Sequence, residues 1–463
     1  MAFCVSPSLQ RNRYNRMQSL RCSLSSSSER VKESTNADLS TNEFNTWTEK
    51  TGIQMPSISL TNFDSERKGV AQRGMLATSP VRAGDLLISV DRKKVLQVTS
   101  LDVKQSPFPE KVPSDTWRKL PWYVRLALRT ADCQQDLEHE LHLWASLLPT
   151  SVDLPHHWSD SQLAELQNSR LIDAIVEQRN EYRKWYSLLN NANNPIMRGR
   201  KYTDFVRAVD CVRSRAFQGP LELAPFKERL RLLLFIAANV LLWPALKALP
   251  LENALNGGLT ALFALLMYDV LTPKIVKLIQ GVELQRYAMT PGIDFFNHNS
   301  RVTDRANVSY EYFSDKFEVR SGEDYDTGHE VFISYGSQSN DAFLQYYGFV
   351  EPDNPSETFT FDSSVEHLLG IARKSLVAKR KGFDNKVVES VARKLNSNRN
   401  AAETALRELC EAELKAMGTT LDEDEALLRS GTVKCARHEL AIRYRIEKKK
   451  LLNSIISKKQ ETI

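Results

Sequence analysis

The sequence predicts an α+β protein, in which a β-rich domain with a helical insert is followed by an all-α C-terminal domain. Alternating apolar and polar residues, which are typical of strands, occupy residues 46–100 and 287–350. Residues 114–210 lie between them, carry apolar side chains at helical spacing and form the predicted insert. The remainder, residues 363–463, is amphipathic and helical. We therefore place the β-rich domain at residues 46–362.

Turn-forming residues divide the first β-rich stretch. Gly74, Pro80 and Gly84 interrupt its apolar runs, and the run Leu86–Val90 follows the last of these turns. Such spacing predicts a β-hairpin or a meander. The second stretch repeats the alternation in the segments NVSYEYF, KFEVRS and HEVFISYG. We expect strands there as well.

The helical parts are predicted from caps and spacing. Ser114 is suited to cap the first helix of the insert, because Asp115 follows in its first turn. Leu163 and Leu171 recur further along the insert at helical spacing. In the C-terminal domain, Lys448–Lys450 is expected to lie on a solvated helix face.

Residues 1–32 have the composition of a targeting segment. They contain six basic residues and one acid, so this stretch supplies the whole net charge of +5, and the 56 basic and 56 acidic residues that follow balance each other. Serine and arginine are abundant and no apolar core of a secretory signal is present, which is typical of a chloroplast or mitochondrial transit peptide. The serine run 25–28 favours the chloroplast, and a disordered tail without an address is the alternative. We assign residues 1–45 to this leader.

Charge and cysteine content exclude two classes of function. Because the chain beyond the leader is neutral, nothing in its charge indicates nucleic-acid binding. The six cysteines are scattered without a CxxC pair, so a zinc cluster is not expected. His139 and His142 form an HxxH pair that lacks the HExxH pattern, and we interpret it as a solvated helix face. We therefore predict no metal site.

Residues 226–280 form an unusually apolar insertion. The uncharged runs Leu232–Leu246 and Asn253–Tyr268 each have about 15 residues, fewer than a membrane-spanning helix needs. Pro250 lies between them and the pair Gly257–Gly258 lies near the start of the second run, which predicts a helical hairpin. One interpretation is two buried helices. The other is a hairpin that docks, through residues 230–275, on a thylakoid surface or on a partner.

Four segments in a fixed order carry the functional information, and each is short. They are RGMLATSPVRAGDLLISV (73–90), VRSRAF (212–217), GIDFFNHNS (292–300) and VFISYGSQSNDAFLQYYGFVEPDNP (331–355). Together they resemble the SET domain, in the branch of the Rubisco large-subunit lysine methyltransferases of plant and algal plastids. The resemblance covers about residues 46–360, and the helical tail resembles the substrate-binding domain of that branch.

This resemblance implies S-adenosyl-L-methionine as cofactor and assigns roles to individual residues. Tyr335 would be the catalytic tyrosine and would also contact the cofactor. The cofactor-binding residues would be Arg73, Gly74, Met75, Ser214, Arg215, Asp294, Asn297, His298, Tyr335 and Tyr347. Tyr347 and Tyr310 would line the channel for the substrate lysine. Methyl transfer to an amine needs positioning and a neutral lysine, and it needs neither a metal nor a covalent intermediate.

The chain departs from the family pattern at two places. The cofactor loop of the family often reads Gly-x-Gly after an acid, whereas residues 71–74 contain one glycine and no acid. The interval between residues 217 and 292 is also longer than in the family, because it contains the apolar insertion.

The predicted function is S-adenosylmethionine-dependent methylation of a lysine on a plastid protein. By resemblance the substrates would be the Rubisco large subunit or a plastid aldolase, in the chloroplast stroma or at a membrane. The alternative is a catalytically weak or inactive SET scaffold that regulates or binds a plastid membrane or complex.

Overall fold

The computed structural model describes most of the chain beyond the leader. The described residues are 36–63, 72–100, 105–149, 152–191, 200–221, 226–280, 284–302, 306–361 and 376–457.

Helices form the insert, the apolar hairpin and the C-terminal domain. They are Asn36–Thr51 (α1), Ser114–Lys119 (α2), Trp122–Gln135 (α3), His142–Leu147 (α4), Asp160–Ala164 (α5), Ser169–Asn191 (α6), Tyr202–Arg215 (α7), Phe226–Ala245 (α8), Leu251–Gln280 (α9), Asn385–Lys394 (α10), Arg399–Ala416 (α11), Leu421–Ser430 (α12) and Ala436–Ile456 (α13).

Strands lie mainly on the two sides of the insert in sequence, as predicted. They are Ile58–Phe63 (β1), Gln72–Ala77 (β2), Leu86–Asp91 (β3), Leu96–Thr99 (β4), Phe217–Pro220 (β5), Gln285–Met289 (β6), Asn297–His298 (β7), Ser309–Glu311 (β8), Lys316–Arg320 (β9), Glu330–Ile333 (β10), Thr358–Thr360 (β11), Val377–Lys379 (β12) and Gly382–Phe383 (β13).

One four-stranded sheet joins the distant segments of the sequence motif. Its order is β1-β2-β10-β7. Strand β7 runs parallel to β10, which places Asn297 beside Phe332 and His298 beside Ile333. Strand β2 is antiparallel to β10. Strand β2, which carries the predicted cofactor loop, and the Asn-His pair of β7 therefore lie on two sides of the strand that leads to Tyr335.

Two three-stranded sheets complete the first domain, in the orders β3-β9-β8 and β4-β6-β5. Strand β5 begins directly after α7 and pairs with β6. Strand β6 in turn precedes the 3₁₀ turn Ile293–Phe295. This connection brings the end of α7, with Arg215, close to Asp294.

The leader that we predicted over residues 1–45 overlaps the first described helix. Helix α1 begins at Asn36, and Phe44 is fully buried against Phe295 in the core of the first domain. The buried ring anchors the helix, because burying a phenylalanine side chain stabilises the folded state by about 1.5–3 kcal/mol. Residues 1–35 lie outside the described residues.

Helices α8 and α9 form the predicted hairpin, but its turn lies at residues 246–250 rather than at the glycine pair. Gly258 lies inside α9, where an added Cβ would collide with Val240 of α8. The glycine therefore permits close helix packing. The large apolar side chains of the hairpin face outward, with exposures of 65% for Phe235 and 70% for Leu241, which contradicts the interpretation as two buried helices. Among the described residues, no helix is both long and apolar enough to cross a membrane.

The C-terminal domain is helical as predicted, with one addition. A small sheet, β11-β12-β13, lies at its start. Its core combines Phe359 of β11 and Phe361, which follows that strand, with Leu406 of α11 and Leu452 of α13.

Helix α13 also binds the first domain through buried charges, so the prediction of a solvated lysine face is wrong. Lys448 and Lys449 are 0% exposed. The Lys448 ammonium donates to Asp341 at 2.8 Å and to Glu357 at 2.7 Å, and Lys449 donates to Asp424 at 2.6 Å. The cations are buried because carboxylates of neighbouring elements satisfy them.

Candidate active site

Tyr335 follows β10 and lies among the other predicted site residues. Its hydroxyl donates to the Phe296 carbonyl at 2.6 Å, and its backbone N–H donates to Nδ1 of His298 at 3.0 Å. Its ring stacks on His298 and on Tyr347, with centroids 5.0 and 5.1 Å away. Burial raises the pKa of Tyr335 well above its usual value, so the hydroxyl stays protonated.

Asn297 connects two strands of the sheet. Its amide Nδ2 donates to the backbone carbonyl of Arg73 at 3.0 Å and to the Glu330 carboxylate at 2.6 Å. Gly74 lies beneath this contact, where an added Cβ would sit 2.9 Å from the same amide nitrogen. Only glycine leaves room there, so the backbone of the predicted cofactor loop approaches closely.

His298 is an internal support of the Tyr335 loop. Its side chain is 1% exposed and packs against the rings of Phe343 and Phe349, with centroids 4.6 and 5.9 Å away. Its Nε2 lies 3.5 Å from the Glu351 carboxylate. Burial works to raise the pKa of Glu351, but the nearby His298 imidazole and the Ser300 backbone N–H, which donates to this carboxylate at 2.9 Å, outweigh burial and hold the pKa below its usual value.

A large cavity opens beside Tyr335, with a volume of about 1030 Å³. Five of the predicted site residues line it: Ser214, Arg215, Asp294, Tyr335 and Tyr347. Its walls also carry Trp122 and Tyr287, whose rings stack at 4.2 Å, together with Arg213, Phe217, Asn307, Gln338 and Tyr346. Cavities of this size are typical of ligand sites.

Arg215 offers a free donor to this cavity. Its Nη1 donates to the Ser214 hydroxyl at 2.8 Å, but its buried Nε has no hydrogen-bond partner among the described residues. A buried donor without a partner is costly, and a carboxylate would satisfy it. The residues therefore fit the amino-acid end of S-adenosylmethionine, which carries a carboxylate.

Asp294 is the acidic residue of the cavity lining. The indole N–H of Trp144, on α4, donates to both carboxylate oxygens at 3.1 Å. Burial raises the pKa of Asp294 to about 7, although the nearby Arg215 cation and the Trp144 bond act to lower it. The carboxyl therefore takes up a proton much more easily than an exposed aspartate.

Five of the predicted site residues belong to the framework around the cavity. Within the described residues, Arg73, Gly74 and Met75 lie outside the cavity lining, and so do Asn297 and His298. The Arg73 guanidinium donates to the Leu147 carbonyl, which ties β2 to α4, and Met75 is fully buried.

Tyr310 was predicted in the lysine channel, and the structure places it outside the cavity lining. Its hydroxyl donates to Asp315 at 2.6 Å, and the Arg286 guanidinium lies 4.6 Å from its ring centroid. These contacts hold the side chain in the β8–β9 hairpin. Val308 lines the cavity near this strand instead.

Among the described residues, one group of side chains has a spacing that would suit a metal ion. The Nε2 atoms of His156 and His157 each lie 2.8 Å from one oxygen of Asp210. Both distances are those of hydrogen bonds, so the buried carboxylate is satisfied by two ring N–H donors. We interpret the group as a brace between α7 and the turn Pro155–His157.

Sequence reasoning missed several supporting residues. Glu330 is an example, since its carboxylate reaches Asn297 and the glycine of a cofactor loop that lacks an acid of its own. Glu330 directly precedes the motif VFISYG, so it belongs to the predicted strand that leads to Tyr335. This position was a usable indication that its side chain supports the site. Trp144 lies in a segment without any motif, and no pattern in the sequence indicates it. Glu351 lies within the motif segment 331–355, but its support of His298 depends on a contact between the two segments.

Comparison with known families agrees with this geometry. The SET domain model matches residues 72–336, and the model described as Rubisco LSMT substrate-binding matches residues 363–452. The first match covers more than half of the chain. The chain belongs to the SET-domain family. The predicted SET domain, the predicted substrate-binding domain of the Rubisco methyltransferase type and the predicted fold class are thereby confirmed.

Curated relatives of this SET-domain protein include several lysine methyltransferases. An Arabidopsis thaliana protein named fructose-bisphosphate aldolase-lysine N-methyltransferase, chloroplastic, is 24% identical over 72% of this chain and 67% of its own length. A Nicotiana tabacum protein named ribulose-1,5 bisphosphate carboxylase/oxygenase large subunit N-methyltransferase, chloroplastic, is 21% identical over 72% and 66%. N-lysine methyltransferase setd6 of Xenopus laevis is 23% identical over 68% of this chain, which spans 58% of that relative.

Solved structures show the same fold at low identity. The SET domain of LSMT bound to lysine and AdoHcy matches with a TM-score of 0.59 and 17% identity, over 91% of each chain. Rubisco LSMT bound to AdoMet matches with a TM-score of 0.56 and 18% identity, over 90% of each chain. These likenesses establish the architecture of this SET-domain protein.

Proposed function

We propose that this protein is an S-adenosylmethionine-dependent protein-lysine N-methyltransferase that acts on a plastid protein. The observation that carries the proposal is the cavity in which Arg215, Asp294 and Tyr335 meet. The names of the relatives from Arabidopsis and tobacco support the same activity.

The residues of the cavity suit a methyl transfer to an amine. S-adenosylmethionine, when bound, supplies a methyl group on a positively charged sulfur. The unpaired Nε of Arg215 would hold its carboxylate. The cationic lining disfavours the charged form of an incoming lysine, which raises the fraction of neutral amine. Tyr335, protonated and fixed by its bond to Phe296, would orient that amine.

The first test is a calorimetric titration of the purified full chain with S-adenosylmethionine. We expect saturable binding that Arg215→Ala weakens by at least about tenfold, because one charge-assisted hydrogen bond contributes about 1.5–3 kcal/mol. Arg207→Ala is the matched control, since Arg207 lies on the same helix but is half exposed and pairs with Asp204. Absence of binding by the wild-type chain would favour the alternative of an inactive scaffold.

The substrate proposal follows the relatives. We expect the Rubisco large subunit or a plastid aldolase to accept labelled methyl groups on lysine when incubated with the protein and cofactor, and mass spectrometry identifies the modified residue. Transfer to neither protein removes these two candidates and leaves the cofactor result unaffected.

The plastid location is proposed from the leader and from the chloroplastic names of two relatives. A fusion of residues 1–45 to a fluorescent protein is expected to enter chloroplasts. A cytosolic or mitochondrial signal would remove this part of the proposal.

The exposed hairpin favours a peripheral membrane location within the plastid, through residues 230–275. Between Arg231 and Asp269 the only charged residues are Lys247 and Glu252, and more basic residues flank the root of the hairpin than acidic ones. A hairpin with only these two charges between its ends, and with a basic root, matches the interior and the anionic surface of a bilayer. Apolar surface of this extent is rare on a monomer without a binding partner.

Flotation with phosphatidylcholine vesicles, with or without phosphatidylglycerol, tests this location. We expect binding that increases with phosphatidylglycerol and that is lost in the triple variant Phe235→Ser, Leu241→Ser and Phe263→Ser. Leu137→Ser is the matched control, because Leu137 is 77% exposed on another part of the surface. Equal flotation of the triple variant and the wild type would contradict the proposal.

A further inference from the structure

A buried ionic contact joins the C-terminal domain to the segment that carries the active-site tyrosines. The Lys448 ammonium of α13 donates to the Asp341 carboxylate at 2.8 Å and to the Glu357 carboxylate at 2.7 Å. The Tyr444 hydroxyl, one turn earlier on the same helix, donates to the other oxygen of Asp341. Burial acts to lower the pKa of Lys448, but the two carboxylates outweigh burial and raise the pKa, so the ammonium stays charged at neutral pH.

Asp341 lies two residues before a helical turn that forms one wall of the cavity. This turn, Phe343–Tyr347, has a π-helical geometry, which is rare in proteins and frequent at functional sites. Tyr346 and Tyr347 at its end line the cavity, and the ring of Tyr347 stacks on Tyr335 with centroids 5.1 Å apart. A displacement of Asp341 would therefore be transmitted to the ring that packs on the proposed catalytic tyrosine.

The second carboxylate leads to the other side of Tyr335. Glu357 accepts hydrogen bonds from the backbone and the side-chain N–H groups of Asn340, which is fully buried. Asn340 in turn exchanges two hydrogen bonds, of 2.8 and 3.0 Å, with the backbone of Glu351. The Glu351 carboxylate lies 3.5 Å from His298, and His298 accepts the backbone N–H of Tyr335. A continuous set of polar contacts therefore leads from Glu357 to the loop of Tyr335.

Burial makes Lys448 suited to fix both carboxylates. Its side chain is 0% exposed, so water cannot replace a carboxylate that moves away. Separation of the pair would leave an uncompensated buried charge, which costs far more than the loss of a surface ion pair. Buried polar networks whose members are all satisfied are rigid and specify one arrangement. The positions of Asp341 and Glu357 are therefore set by α13.

We propose that Lys448 is a positioning residue of the active site, acting through its two carboxylate partners on the turn of Tyr347 and on the loop of Tyr335. The inference rests on the proposed methyltransferase function and adds a further residue to the same site. It implies that the active site is complete only when the C-terminal domain is docked on the first domain, and that this domain contributes to the rate of methyl transfer.

Lys448→Met and Lys449→Met form a matched pair of variants. Both lysines are fully buried on α13, but Lys449 donates to Asp424 of α12 and so stays within the C-terminal domain. We expect both variants to unfold at lower urea concentration than the wild type. Only Lys448→Met is expected to lower kcat, by about ten- to a hundredfold, because small displacements of reacting groups have effects of this size.

The kinetic measurement must separate positioning from loss of folded protein. Calorimetric titration with S-adenosylmethionine counts the folded sites of each variant, and kcat per site is then measured with saturating cofactor and protein substrate. A merely structural role of Lys448 would lower stability and leave kcat per site at the wild-type value. That result overturns the inference, and so does an equal fall of kcat per site in both variants.

Asp341→Asn keeps the test decisive if Lys448→Met does not fold. The amide has the size of the carboxylate, and Lys448 retains its bond to Glu357. We expect kcat per site to fall in this variant, whereas Asp424→Asn, the same change at the partner of Lys449, should leave kcat per site unchanged. Equal kcat per site in these two variants contradicts the inference.

Hydrogen exchange of the full chain tests the positioning without turnover. The backbone amides of residues 340–349 should exchange faster in Asp341→Asn than in the wild type or in Asp424→Asn, because local opening of this segment becomes easier. Equal protection of the segment in all three proteins overturns the inference. A wild-type chain that binds no S-adenosylmethionine would refute the proposed function, whereas an unchanged kcat per site in Lys448→Met and Asp341→Asn would refute the inference alone.

Discussion

Removing the hydroxyl of Tyr335 tests the centre of the proposed site. In Tyr335→Phe the ring can keep its stacking on His298 and Tyr347, so the substitution removes one hydrogen bond and little packing. The carbonyl of Phe296 then loses a donor at 2.6 Å within a buried site. Leaving such an acceptor without a partner costs about 1–3 kcal/mol.

The same energy sets the expected kinetic effect. If the transition state loses this 1–3 kcal/mol of stabilisation, kcat falls by about 5- to 150-fold, because 1.36 kcal/mol corresponds to a factor of ten in rate. Because burial raises the pKa of Tyr335, the ratio of wild-type to variant kcat should stay constant between about pH 7 and pH 10. Single-turnover methylation of a protein substrate over this range measures both quantities.

Tyr325→Phe is the matched control. The Tyr325 hydroxyl accepts the backbone N–H of Phe332 at 3.3 Å in the same domain, and it lies outside the cavity lining of the described residues. We expect a comparable loss in the free energy of unfolding and an unchanged kcat. The reasoning is refuted if Tyr335→Phe retains wild-type kcat, or if both variants lose kcat equally.

The remaining predictions concern the cofactor loop, the buried carboxyl and the domain interface. Gly74→Ala places a Cβ 2.9 Å from the Asn297 amide and should weaken S-adenosylmethionine binding in calorimetry, whereas Gly257→Ala, which meets nothing within 4 Å, should not. Burial raises the pKa of Asp294 from 3.8 to about 7, so its contribution to stability is complete below about pH 4 and is lost as pH rises through about 7. Asp294→Asn should flatten this dependence, by up to about 4 kcal/mol, in urea unfolding at several pH values. Asp424→Ala leaves two buried cations without their shared carboxylate and should lower the free energy of unfolding by about 3–5 kcal/mol in the same assay.

Patterns along the chain were sufficient to predict the strands and helices and to predict part of the candidate site. The alternation in KFEVRS and HEVFISYG gave β9 and β10, and the two apolar runs gave α8 and α9. Ser214, Arg215, Asp294, Tyr335 and Tyr347 line one cavity, as the family resemblance implied. Each of these features depends on local periodicity or on a short motif, and both can be read from neighbouring residues.

Contacts between distant elements could not be predicted in this way. Lys448 and Lys449 look like a solvated charge run, but α13 packs against carboxylates from the first domain and from α12, which bury them. Tyr310 matched the lysine channel loosely, and its position was decided by Asp315 and Arg286. Glu330 became important only when β10 paired with β2.

The amino-acid order by itself determined the succession of strands and helices, the apolar hairpin and the membership of the family, because each is encoded by periodicity and by motifs of a few residues. The tertiary structure decided which charges are buried, where the hairpin root meets the cavity and which carboxylate bonds Asn297. The physical reason is that desolvation and hydrogen bonding depend on distances between side chains that are far apart in sequence, and those distances exist only after the sheets and helices have packed.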